Sequence, residues 1–269
     1  MTKTISAAAN PALANNLVNQ ALAEKPVQKE VNIIPPSDTS VILPGGYINA
    51  AGELITTAEV RELNGTDEEA ISKASSVGKA VLTILNRGVV KIGSEKATEK
   101  MLDQLLSGDR DTLLLAIFKA TFGKTADLES LCIGCNKVKI VTIDIDDDIK
   151  SKVLVDPIND RVFTVQGKKN VFTVQLPTGL SQKEMILNSD KTAAELNTLL
   201  LEGTVIRIDE SPVISKLQVQ NLSLVDRRKI VQEINKRLIG PQFDTVKVTC
   251  PDCESEVSVP VNFGTLFRF

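Results

Sequence analysis

With 269 residues, 42% of them hydrophobic, and a net charge of −3 from 31 Lys and Arg against 34 Asp and Glu, the chain reads as an ordinary folded protein with room for two domains of about 100 to 130 residues. It lacks the basic excess with which a nucleic-acid binder displaces counterions, and 3% aromatics with no Trp speak against a base-stacking platform. Histidine is absent, which removes the commonest general base and the Ser-His and Cys-His nucleophile pairs, so no enzyme is expected.

The first segment, "MTKTISAAANPALANNLVNQALAEK", places Pro and Asn where a secretory signal has its apolar core. No run anywhere reaches the roughly 18 to 20 apolar residues that span a bilayer, so a cytosolic origin and no membrane contact are expected. Residues 1–40 read as a partly extended N-terminal arm, because prolines at 11, 26, 35 and 36 limit any helix. An arm ordered against a partner and a disordered tail both fit this composition.

From residue 41 the elements come in two similar sets. Strand-like "SVILPGGYINAAGELITTAEVREL" is followed by a helix at "GTDEEAIS", with Thr66 as the expected N-cap. A second helix starts near Asp109, stops at Gly123, and leads to "CIGC" and the strand-like "VKIVTIDI". Past "DDDIKSKVLVDPINDR" a hairpin of two VFTVQ strands about GKKN opens the second set. A helix with Ser189 or Asp190 as cap, another from Asp226 to Gly240, "CPDC" and the alternating "EVSVPVNF" complete it.

The correspondence is numerical as well as qualitative. Asp109-Arg110 and Asp226-Arg227, Gly123 and Gly240, and Asp127 and Asp244 are all 117 apart, while Cys132 and Cys135 precede Cys250 and Cys253 by 118. The expected fold is therefore α+β, in two tandem homologous modules of strand hairpin, helices, Cys-x-x-Cys knuckle and strand, over residues 41–148 and 149–269.

A tetrahedral zinc takes four ligands and each Cys pair offers two. If the modules meet about a pseudo-two-fold axis, Cys132, Cys135, Cys250 and Cys253 form one structural zinc site that joins them. Gly134 and Asn136 suit a tight, partly left-handed knuckle, and Pro251 presets φ. Where a common Cys-Pro-x-Cys-Gly knuckle has Gly, this chain has Glu254, which must accept a positive φ or change the turn. Free buried or disulfide-paired cysteines are the alternative; redox chemistry fits less well, since each pair is followed by a strand and not by a helix.

Other candidates have plainer readings. The acidic run Asp144, Asp146, Asp147 and Asp148 lacks the glycine and terminal Glu of a calcium loop and reads as a solvated turn. "LPGGY" and "GKKN" lack phosphate-loop spacing and read as turns. The two Asp-Arg pairs read as a capping Asp with a local salt bridge, and Arg227, Arg228, Lys229, Lys236 and Arg237 as a solvated face or a contact for an acidic partner. Phe263, Leu266, Phe267 and Phe269 are either a partner-binding apolar patch or a cover for the core.

Together "ELNGTDEEAIS", "GDRDTLLLAIFKATFG" with its Cys-x-x-Cys, and the closing "CPDCESEVSVPVNFGTLFRF" resemble the baseplate hub assembly proteins of contractile-tailed bacteriophages and related injection machines, over about residues 40–269. The first Cys pair departs from the family in lacking Pro. The resemblance implies a structural or assembly protein of the tail baseplate, made in the host bacterial cytoplasm and located in the virion. Its implied partners are the hub and tape-measure proteins and other baseplate subunits, in a hetero-oligomeric assembly. The alternative reading is a zinc-ribbon nucleic-acid-binding protein of phage transcription or replication, against which the charge balance speaks.

Overall fold

A computed structural model describes residues 39–268 of the chain. The expected arm therefore lies, but for its last two residues, outside the described residues, as does Phe269.

The first half opens with β1 (Ser40–Ile48) and β2 (Leu54–Val60), an antiparallel pair. Helices α1 (Gly65–Ser72) and α2 (Val77–Gly88) follow, then β3 (Val89–Ile92) and β4 (Glu95–Lys96), which complete a sheet of order β1-β2-β3-β4. Next come α3 (Glu99–Gln104) and α4 (Ser107–Phe122), and the hairpin of β5 (Thr125–Cys132) and β6 (Lys137–Asp144). A short α5 (Ile145–Asp148) and β7 (Ser151–Lys152) lead onward.

The second half repeats this order. Strands β8 (Val162–Gln166) and β9 (Val171–Gln175), helices α6 (Gly179–Leu187) and α7 (Ala193–Thr204), and strands β10 (Val205–Ile208) and β11 (Ser211–Pro212) give a sheet β11-β10-β9-β8. Then α8 (Lys216–Gln220), α9 (Leu224–Arg237), β12 (Gly240–Pro241), the hairpin β13 (Thr245–Thr249) with β14 (Glu256–Pro260), and α10 (Phe263–Phe267) close the chain. Mixed helix and strand, as expected, is what forms.

Four apolar cores hold these elements, the smallest made by Leu106, Leu176 and Ile239 from the two halves. The first lies under β1, β2, β3 and α2 around Ile84, Leu85 and Ile92; the third lies under β8, β9, α7 and α9 around Phe172, Leu201 and Ile230. Between them a second core draws on both halves: Leu128, Val141 and Ile143 from β5 and β6 meet Val257 and Val259 from β14. The run "LLLAIF" in α4 explains how one helix serves two cores. Leu113, Leu114 and Ile117 enter the first core and Leu115 and Phe118 the second, so the helix is apolar on more than one side, as a buried helix is. The two-module boundary drawn after residue 148 falls at the end of α5, but the second core spans it.

Several local expectations are corrected. Asn64, not Thr66, caps α1, accepting from the amides of Thr66 and Asp67 in a capping box with Asp67. Thr192, not Ser189 or Asp190, caps α7, because α6 occupies the stretch before it. Gly123 ends α4 at φ +89, but α9 ends at Arg237, and Gly240 (φ +79) instead lets its backbone lie against Gly108, whose carbonyl oxygen would sit 2.3 Å from a Cβ there. "LPGGY" is an irregular stretch inside β1 and not a turn.

Candidate metal centre

Each Cys pair sits in the bend of a hairpin, and the two bends are alike. Asn136 and Glu254, the residues after each second cysteine, adopt φ of 54° and 59°. Their amides donate to the carbonyls of Cys132 and Cys250 at 2.8 and 2.9 Å. Glu254 thus accepts the left-handed conformation that Gly would take without cost. Gly134 has a different role from the one expected: a Cβ there would lie 2.1 Å from Ser255 Oγ and 3.0 Å from Cys253 Sγ, so its missing side chain lets the two knuckles close on each other.

Inward-facing alternation carries the sulfurs to one place. In β5, Ala126, Leu128 and Cys132 are buried, and in β14, Val257 and Val259 are buried. The two hairpins therefore share the second core, tied across by Ser130 Oγ donating to the Ser258 carbonyl at 2.9 Å. At the end of this core the four Sγ atoms lie within 4.8 Å of one another. Cys132 and Cys253 approach to 3.5 Å, Cys135 and Cys250 to 3.9 Å. Four sulfurs at about 2.3 Å from a tetrahedral ion would be about 3.8 Å apart, so this cluster has the dimensions to hold a metal ion. A disulfide requires about 2.05 Å, and all four cysteines are free. No helix begins at either pair, which removes the usual support for a redox thiol.

The two knuckles treat their second cysteines oppositely. Hydrogen bonds from Ser255 draw the Cys253 thiol down to about 6, while burial pushes Cys135 up to about 11. Thiolates this close repel one another unless a cation lies among them. Lys139 and Lys137 of β6 reach Asp252 of the opposite knuckle at 2.6 and 3.4 Å, so β6 is tied to the second hairpin by charge as well as by core contacts. The lysines' spacing in "NKVKI" puts them on one strand face, a signal the sequence carried.

A second cluster was missed. Asp109, fully buried, accepts from the amides of Gly45 and Gly46 at 2.7 and 3.3 Å, and Arg161 caps the carbonyls of the same two glycines at 2.7 and 2.6 Å. One peptide unit of β1 is thus held by its own half through Asp109 and by the second half through Arg161. Arg110 donates to the Gly179 carbonyl at 2.5 Å. In the second half Asp226 accepts from Lys168 and Ser223, and Arg227 reaches Val219 and Thr198. The Asp-Arg pairs join distant segments, and Arg110 in addition makes a local salt bridge to Asp103 at 3.8 Å. The alternative of a simple cap could not be separated from this by sequence, since both need a first-turn Asp.

The remaining candidates stay structural. Asp144 caps α5 and pairs with Lys124, and Asp146 pairs with Lys119. Gly167 and Asn170 form the expected tight turn. Arg237 stacks over Phe163 at 4.6 Å and also pairs with Glu233. Leu266 is buried in the second core; Phe263 packs edge-on against Phe243, and Phe267 against Phe118. These three therefore cover the core in place of forming an open patch, because α10 folds back under its Asn262 cap.

Among the described residues no helix is long and apolar enough to cross a membrane. Compared with known proteins, residues 53–239 match the family described as T4 bacteriophage base plate protein, more than half of the chain. No curated protein and no solved structure matches.

Proposed function

Because the chain belongs to the T4 bacteriophage base plate protein family, we propose that it is a structural and assembly component of the tail baseplate that binds the central hub or tape-measure complex and carries one structural zinc on Cys132, Cys135, Cys250 and Cys253. Family membership supports a place in the virion tail. The observation that carries the zinc is the four-sulfur cluster, whose two cysteine pairs are separated by 114 residues of chain and whose spacing suits a tetrahedral ion. Such a shell is closed, with no position for water or substrate, so its contribution is to fix the two hairpins and the cores on either side.

A zinc-ribbon role on nucleic acid gains nothing from the knuckle surface, where exposed Lys137 and Lys247 are outnumbered by exposed Asp252, Glu254 and Glu256. Elemental analysis of protein purified without added metal, with co-purification against the hub and tape-measure proteins, tests the proposal. One zinc per chain and a stable complex are expected. Metal-free, fully folded protein would remove the zinc, and failure to bind either partner would remove the hub role.

A further inference from the structure

The two halves make the same helix corner, but only one of the two corners is filled. In the first half α3 and α4 meet at Leu105 and Leu106, and the start of α6 docks there. Gly179 donates to the Leu105 carbonyl at 2.7 Å, and Ser107 donates to the Pro177 carbonyl at 2.9 Å. Lys183 pairs with Glu99 and Asp103, and Gln182 donates to Asp111. In the second half α8 and α9 form the corresponding corner 117 residues on, with caps Thr98 and Ser215 and the pairs Asp109-Arg110 and Asp226-Arg227 in register. There Arg227 donates to the Val219 carbonyl at 2.9 Å and to Thr198 Oγ1 of α7 at 2.8 Å, and Ile214, Leu217, Leu224 and Val225 are 65–85% exposed. Four neighbouring apolar side chains left in water mark an interface.

The counterpart of α6 is α1. Asn64 and Thr178 stand just before them, 114 residues apart, and the third residue after each faces the next helix at matching positions: Asp67 takes Arg87, and Ser181 abuts Gly203. In this register Glu99 and Asp111 of the filled corner become the bases Lys216 and Arg228 at the open one, while Asp103, the other partner of Lys183, becomes the neutral Gln220. Lys183 and Gln182 become Glu69 and Glu68. All four charged replacements are exposed, and none closes an ion pair among the described residues. Gly179 needs its missing Cβ, since the Leu102 carbonyl would lie 2.3 Å away; Gly65, its counterpart, has nothing within 4 Å. A glycine that its own chain does not require is explained if this helix start closes on another surface.

We propose that α1 of one copy of this chain docks on the α8–α9 corner of a second copy, in the manner of α6 on α3–α4 and with the charges at Glu99, Asp111 and Lys183 reversed. The contact uses two different patches, so it builds a ring or filament, or a pair when two copies exchange. It does not depend on the zinc or on the hub partner.

Sedimentation velocity of the full chain tests it. The wild type associates as concentration rises to about 100 µM, a weak but specific affinity, and high salt weakens the association. The double variants Glu68→Lys with Glu69→Lys, and Lys216→Glu with Arg228→Glu, each weaken self-association at least about tenfold. Mixing the two variants, or combining all four changes in one chain, restores it. A wild type that stays monomeric, or association that neither variant weakens, or variants that do not rescue each other, overturns the proposal.

Discussion

Asp109 is the residue whose chemistry is least like its type. Burial raises its carboxyl to about 6 against the two glycine amides and Arg161, which favour the charged form, and Oδ2 has no partner. Asp111 is raised to about 6 by the same cause. An unfolded Asp titrates near 3.9, so between about pH 4 and pH 6 the native state binds the extra proton. Stability therefore falls as pH rises through that window and levels off above it, by at most about 3 kcal/mol for each group. Asp109→Asn keeps an oxygen for the Gly45 amide but cannot ionise. Urea unfolding of both proteins from pH 4 to pH 7 is expected to show the variant gaining on the wild type as pH rises to 6; any metal contribution cancels in the difference. Parallel curves would mean that Asp109 stays charged throughout.

At the scale of elements, the knuckle hairpins show what sequence pattern decides and what it does not. Regular alternation in "EVSVPV" matches the buried Val257 and Val259 of β14 and Val261 just after it, because one face meets a core and the other water. In β6 the alternation changes phase: Val138 and Ile140 point out, 62% and 70% exposed, while Val141 and Ile143 point in. No local rule says which of the two sets faces the core; that choice is made by Lys137 and Lys139 reaching Asp252 on the other hairpin. The α6 helix was unreadable for a similar reason, since its start is fixed by the carbonyls and carboxylates of the first half and not by a cap of its own. The cysteine spacing, by contrast, was legible at once, because four ligands have few ways to be used. Gly134 gives a test at this scale. Gly134→Ala puts a methyl into Ser255 and Cys253, so the hairpins must part by some tenths of an ångström. Cobalt substituted into the variant is expected to bind at least about tenfold more weakly than into the wild type and to show an altered thiolate charge-transfer band. Unchanged affinity and spectrum would show that the knuckles do not close as described.

For the molecule as a whole, the question is how two halves with separate cores behave as one body. Four joints connect them: the sulfur cluster, the second core beneath it, the small core of Leu106 with Leu176 and Ile239, and the Asp109–Gly45–Arg161 clamp with the docked α6. The first two depend on each other if the proposed ion is bound, since β13 and β14 are a single hairpin, which is marginal alone in water, and an ion among the four sulfurs would hold it against β5 and β6. The first and third cores contain none of the cysteines. Removing the metal should therefore open the molecule locally and not globally. After chelation, hydrogen exchange is expected to lose protection in β5, β6, β13, β14 and α10, while amides around Ile84 in the first core and Phe172 and Leu201 in the third keep theirs. Loss of protection everywhere would mean that the ion holds the entire fold together, as in a small zinc finger. No loss in the knuckle hairpins would mean that core contacts and the lysine pairs to Asp252 suffice without it.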